Sequence, residues 1–136
     1  MLLRAHIVKA VAATILLATV SHAQDREQSE RVSLIQLISN PDRYEGKLVH
    51  IDGFVHINFE DNAIWLHKDD FDNSINSNSL WINVNRCVGW DGKPMSGYAS
   101  VLGRFSSQHR GHMGLWPGVI NQVGECFPLP QRRSGT

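Results

Sequence analysis

Residues 109–118 read HRGHMGLWPG and set His109 and His112 three positions apart, with Arg110 between them. Imidazoles are common zinc ligands, and a catalytic zinc takes three protein ligands while keeping one position open. His67 is the further imidazole that would complete a set with His109 and His112, and His50 and His56 stand elsewhere in the chain. A helix would bring the pair to one face, but Gly111, Gly114 and Pro117 oppose a helix there. The decapeptide is therefore expected to be a loop whose histidines border a ligand site. A second candidate is KDDFDNSINSN, residues 68–78, in which Asp70, Asp72, Ser74 and Asn76 copy the alternating oxygens of a calcium loop. The glycine needed at the sixth place is Ile75 and the glutamate needed at the twelfth is Trp81, which excludes an EF-hand. The segment reads instead as a polar turn. A third candidate is the row Phe54, Trp65 and Trp81, interleaved with His56, His67 and Asn83. Aromatics beside hydrogen-bonding groups suit stacking on bases, sugars or peptide side chains.

The elements that must position these residues begin after an export signal. Residues 1–23 carry Arg4 and Lys9, then the apolar run AVAATILLATV, then SHA with small residues ahead of Gln24. This is the build of a secretory signal peptide, and the apolar run is too short to span a bilayer. No stable membrane anchor is expected after cleavage, and the protein is expected to be secreted or periplasmic. Of 13 Lys and Arg, 11 remain against 13 Asp and Glu, so the mature chain carries −2. Proteins that hold duplex DNA or RNA through phosphates carry a basic excess, so duplex nucleic acid is a poor partner. Cys87 and Cys126 both lie in the exported part, where an isolated pair reads as a disulfide.

Residues 24–31 are polar and are expected to form a flexible leader, and 32–127 one domain, with 128–136 as a tail. Ser33 and Gln36 fit a capping box, with Val32 and Leu37 as its hydrophobic staple. Leu34, Ile35, Leu37 and Ile38 supply the apolar stripe of a short helix, which Asn40-Pro41 ends. Five strands follow at 48–57, 62–68, 80–84, 97–106 and 118–126. The first alternates Val49, Ile51, Val55 and Ile57 against His50, Asp52, Phe54 and His56. Gly53 and Gly103 sit within strands, where glycine marks a bend or bulge. The fold class is mainly β: a five-stranded OB-like barrel with a short N-terminal helix.

The segments LIQLISNPDRYEGKLVHIDGFV and GYASVLGRF carry a resemblance to secreted bacterial OB-fold proteins of the tRNA-anticodon-binding-like kind. In those proteins a leading helix and a Y-x-G-K-x-V-x-x-x-G turn open the barrel. FEDNAIWLHKDDF and GHMGLWPG further resemble the signature segments of a small exported bacterial family of unassigned activity. The resemblance covers residues 32 to 126. One departure is the connection NRCVGWDGKPMS, which has no helical period. The helix usual between the third and fourth strands is expected to be missing, with the leading helix plugging the barrel. RGHM is also shared with metal-dependent nonspecific nucleases, whose motif runs D-R-G-H-M. Here His109 replaces the leading acid and GLWPGVINQVGEC reads as loop and strand, so that likeness implies nothing further.

If the barrel is an OB fold, its second and third strands form the usual ligand face. The aromatic row is then either an open docking surface or a second core beneath helix 33–39 or a loop. The leading expectation is a non-catalytic binding module for an exported protein or a small polar ligand. Its expected contacts are Phe54, His56, Trp65, His67, Trp81, Asn83 and His112. A second reading is a metal-binding protein or metal-dependent hydrolase using His67, His109 and His112, with zinc or calcium as the candidate ions. A third is an inhibitor or immunity-type protein. No catalytic set stands out.

Overall fold

The computed structural model describes residues 27–84, 87–89 and 91–130. The expected signal peptide, the first residues of the expected leader and the expected tail beyond residue 130 lie outside the described residues. The elements are β1 (Glu30–Arg31), α1 (Leu34–Ser39), α2 (Pro41–Tyr44), β2 (Leu48–His56), β3 (Ala63–Trp65) and α3 (Lys68–Asp72), then β4 (Ser79–Ile82), β5 (Ser96–Ser106) and β6 (Val119–Pro128). Short 3-10 turns occupy Asn76–Asn78 and His112–Gly114.

Strands β2, β3, β4, β6 and β5 neighbour one another in that order, and β5 pairs back on β2 to close the barrel. β4 and β6 run parallel, and every other barrel pairing is antiparallel. This is the five-stranded OB-like barrel that the alternation predicts. Side chains at every second position fill its interior, among them Val49, Ile51, Val55, Ile64, Ile82, Val101, Phe105 and Ile120. Burial of this set is the main source of the fold's stability.

The interior is closed by α1 and α2. Ser33 Oγ accepts from the Gln36 backbone N–H at 3.2 Å, while Gln36 Oε1 accepts from the Ser33 N–H at 2.8 Å. The capping box holds, and it presents Leu34 and Leu37 to the core. Asn40-Pro41 ends α1 but does not turn the chain away. Pro41 opens the one-turn helix α2, a position that needs no N–H donor, and so delivers Tyr44 to the core. No helix is present between β4 and β5 among the described residues. A tight hairpin stands there, with Met95 N–H donating to Cys87 O at 3.0 Å. Cys87 is bonded to Cys126 across a Cα–Cα distance of 5.5 Å, tying the hairpin to β6.

Three expectations are corrected. The leader does not fray over its described part. β3 covers β2 only from Phe54 onward, so the first half of β2 has a free edge that β1 fills, pairing with Val49 and His50. Arg31 then bonds Asp52 at 2.6 Å, and Glu27 takes Arg104 through two contacts of 2.8 and 2.6 Å. Gly53 marks no bulge, since the β2–β5 register continues unbroken through it. It marks a close approach instead, because a Cβ there would lie 2.5 Å from Trp65 O. Gly103 does mark a bulge: the β5–β6 register shifts between Leu102 and Arg104. Finally, β6 runs on to Pro128, and Leu129 N–H reaches Tyr98 O at 2.8 Å, so the last strand takes in the start of the expected tail.

Candidate functional site

The outward faces of β2, β3 and β4 carry the predicted aromatic row, and the structure covers most of it. Phe54 is 5% exposed and Trp65 2% exposed, and with Ala63 and Trp116 they form a second apolar cluster. Neither is open to a ligand in this conformation, so of the two alternatives for this part of the row the second core is the one observed. The cover is not the leading helix. α3 brings Phe71 to 5.3 Å from the Phe54 ring and 5.0 Å from Trp65, and the loop 107–118 brings Trp116 to 4.8 Å from Trp81. Two segments that read as polar turns and glycine loops each contribute one large aromatic, and that is enough to roof the face. Part of KDDFDNSINSN is accordingly helical. Asp70 fixes it by accepting from the His67 backbone N–H at 3.1 Å and from Asn78 Nδ2 at 2.8 Å.

The other expected contacts separate into two groups. Trp81 stays half-buried; its indole donates to Asn83 Oδ1 at 2.8 Å, and Asn83 in turn donates to Asn121 at 2.6 Å. His112 stacks over Trp81 at 6.1 Å, so Trp81, Asn83, His109 and His112 line one shallow groove. His56 lies apart, its ring 4.6 Å from Phe71 and its Nδ1 3.2 Å from Ser96 Oγ. His67 precedes α3 and is exposed. Among the described residues, no three His, Cys, Asp or Glu side chains stand together as a metal site, and while His109 and His112 share the groove, His67 is not in its lining. Of the calcium-like oxygens, Asp70 is occupied as described and Asp72 pairs with Lys68 at 2.6 Å.

The loop 107–118 is seated from both ends. At its start, Glu45 accepts from the Ser107 backbone N–H at 2.6 Å and from the hydroxyls of Ser106 and Ser107 at 2.8 Å. Partial burial would raise this carboxyl, but those hydrogen bonds and the charge of His109 overcome it and hold Glu45 below the ordinary carboxylate value. In the middle, Gly111 lies directly on Trp81: a Cβ there would be 2.6 Å from Trp81 Cβ. Farther on, Trp116 N–H donates to Arg110 O at 3.2 Å, and Arg110 Nε donates to Trp116 O at 3.2 Å.

The roof leaves a cleft of about 630 Å³ over the outside of β3. Trp65, Phe71 and Trp116 form its aromatic side; Glu60, Asp61 and Asp72 contribute carboxylates; Met113 and Leu115 stand at its edge. Phe59, adjoining Glu60, is 91% exposed, Met113 79% and Leu115 55%. Isolated exposed apolar groups are ordinary, but Met113 and Leu115 in the lining of one cleft make it a candidate interaction surface. Ser74 and Met113, both lining it, hold φ of +55° and +56°. Side chains rarely adopt that region, and such residues gather at binding sites. The indole N–H groups of Trp65 and Trp116 are buried, with no protein acceptor among the described residues. Sequence reading missed Phe59, Glu60, Asp61 and Met113 as site residues. The available signal was Phe59 itself, a large apolar residue inside the polar run NFEDN.

One more constellation has the composition of a hydrolase but not its arrangement. Ser100 Oγ donates to Asp52 Oδ1 and lies 2.5 Å from His50 Nε2. A nucleophilic serine needs the imidazole as its base, with the carboxylate behind the imidazole. Here the hydroxyl sits between the two, and its single proton faces the carboxylate, which also pairs with Arg31. The arrangement clamps β1, β2 and β5 together.

Comparison of the chain with family models, with curated proteins and with solved structures finds no match.

Proposed function

We propose that this chain is an exported, non-catalytic binding module that holds a protein partner through the cleft over β3. The observation that carries the reading is the exposed pair Met113 and Leu115 in the lining of that cleft, with the exposed Phe59 next in the chain to the lining residue Glu60. Large apolar anchors around a concave site are the pattern of protein-interface hot spots. The position also agrees with the OB-like architecture, in which the second and third strands and the loops beside them take the ligand. Here the strand face itself is roofed by Phe71 and Trp116, so contact moves outward to the loops. A disulfide joining two parts of the domain suits an oxidising compartment, in keeping with a signal peptide over residues 1–23. An inhibitor or immunity-type protein is one form of this reading, since it acts by occupancy alone.

The test is capture from the exported fraction of the native organism with purified wild-type protein and a Phe59→Asp/Met113→Asp variant. Both side chains are exposed, so the variant is expected to keep the wild-type unfolding midpoint. A partner retained by wild type and lost by the folded variant supports the reading. A partner retained equally by both overturns it.

A further inference from the structure

We infer that the cleft takes a cationic segment, an arginine- or lysine-bearing stretch of peptide flanked by apolar residues. This rests on the cleft being a protein-binding site and names the chemistry of its occupant. The lining contains three carboxylates, Glu60, Asp61 and Asp72, and no lysine or arginine. Asp72 is neutralised by Lys68 beside it. Glu60 and Asp61 have no ion-pair partner among the described residues. A site with two uncompensated carboxylates at its mouth repels phosphate and carboxylate ligands and attracts ammonium or guanidinium groups.

The carboxylates alone would not specify a ligand, but the remainder of the cleft does. Phe71, half-buried, lines the same space, and guanidinium groups favour aromatic faces. The exposed Met113 and Leu115 then meet the apolar neighbours of the basic residue. Carboxylates for the charged head, an aromatic face for its plane and an apolar edge describe one kind of occupant.

The test uses three acetylated and amidated peptides: Leu-Arg-Leu-Arg-Leu, Leu-Gln-Leu-Gln-Leu and Leu-Glu-Leu-Glu-Leu. Each is titrated into isotopically labelled mature protein while amide resonances are followed, a readout that detects millimolar binding. The arginine peptide is expected to shift residues 59–61, 71–76 and 112–116 saturably. The glutamine peptide should bind more weakly and the glutamate peptide not at all. A Glu60→Gln/Asp61→Asn variant should bind the arginine peptide about five-fold more weakly, as two partly screened ion pairs imply. Absence of saturable shifts with the arginine peptide, equal binding of the glutamine peptide, or an unaltered affinity in the variant overturns the inference. The Phe59/Met113 capture experiment starts from wild-type protein and reports a protein partner of any charge. A partner captured there together with failure here would leave the site standing and remove only its cationic occupant.

Discussion

Replacing Gly111 by alanine tests whether the loop 107–118 is seated on the barrel as described. Gly111 holds φ +65° and ψ −161°, a region open essentially to glycine alone, so any side chain costs about 1–3 kcal/mol in backbone strain. The new Cβ would also stand 2.6 Å from Trp81 Cβ and 2.7 Å from Trp81 Cγ. Ordinary carbon contacts fall at about 3.5–4.0 Å, so the loop must lift by about 1 Å. Such overpacking adds about 1–3 kcal/mol, and the expected total is about 4 kcal/mol. Gly114 is the internal control. Its φ is +71°, but a Cβ there meets nothing within 4 Å, so Gly114→Ala should cost only the conformational part, about 1–2 kcal/mol. Urea unfolding of both variants, followed by circular dichroism, reads the difference. Indole emission reads whether Trp81 has lost its cover. Equal destabilisation of the two variants, with emission unchanged from wild type, would refute the seating of this loop on Trp81.

Breaking the Cys87–Cys126 bond by a Cys87→Ser/Cys126→Ser change should destabilise the fold by about 4 kcal/mol, as loop-closure entropy over a separation of 39 residues implies. Unreduced protein should resist thiol labelling, which mass spectrometry checks directly. Glu45 titrates below its ordinary value of 4.5 in the folded state, so its contribution is complete above that pH and is lost as pH falls through the lowered folded value. Glu45→Gln should therefore be less stable than wild type at neutral pH, and the gap should narrow below about pH 4.5 in acid-unfolding curves. Asp70→Ala removes the acceptor for the His67 N–H and the Asn78 amide at a buried position, and should cost about 1–3 kcal/mol by calorimetry.

The barrel was legible in the chain because its signal is local. Alternation over 48–57 and 97–106 assigns each side chain to a face, and the Ser33–Gln36 cap announces its helix within four residues. The site was less legible because it is assembled from distant segments whose composition misleads. Phe71 and Trp116 each sit in a polar or glycine-rich stretch, and single aromatics leave no period to detect. They meet Trp65 and Trp81 only once the barrel is closed. The docking of β1 was hidden for a related reason: it depends on a gap left by the shortness of β3, a property of the sheet and not of residues 24–31.

The barrel's packed interior leaves it no role as a container. Val55, Ile64, Ile82, Val101 and Phe105 fill the cylinder, while Leu37 and Met95 belong to the same solid cluster. On the proposed function, selectivity between partners then belongs to the outer connections at 57–62, 66–78 and 107–118. Those connections are held by the strands, Asp70 and Glu45, and their tips can change in sequence while the cylinder beneath them stays the same. On that reading, libraries varied at Phe59, Glu60, Met113 and Leu115 would alter recognition on a constant frame.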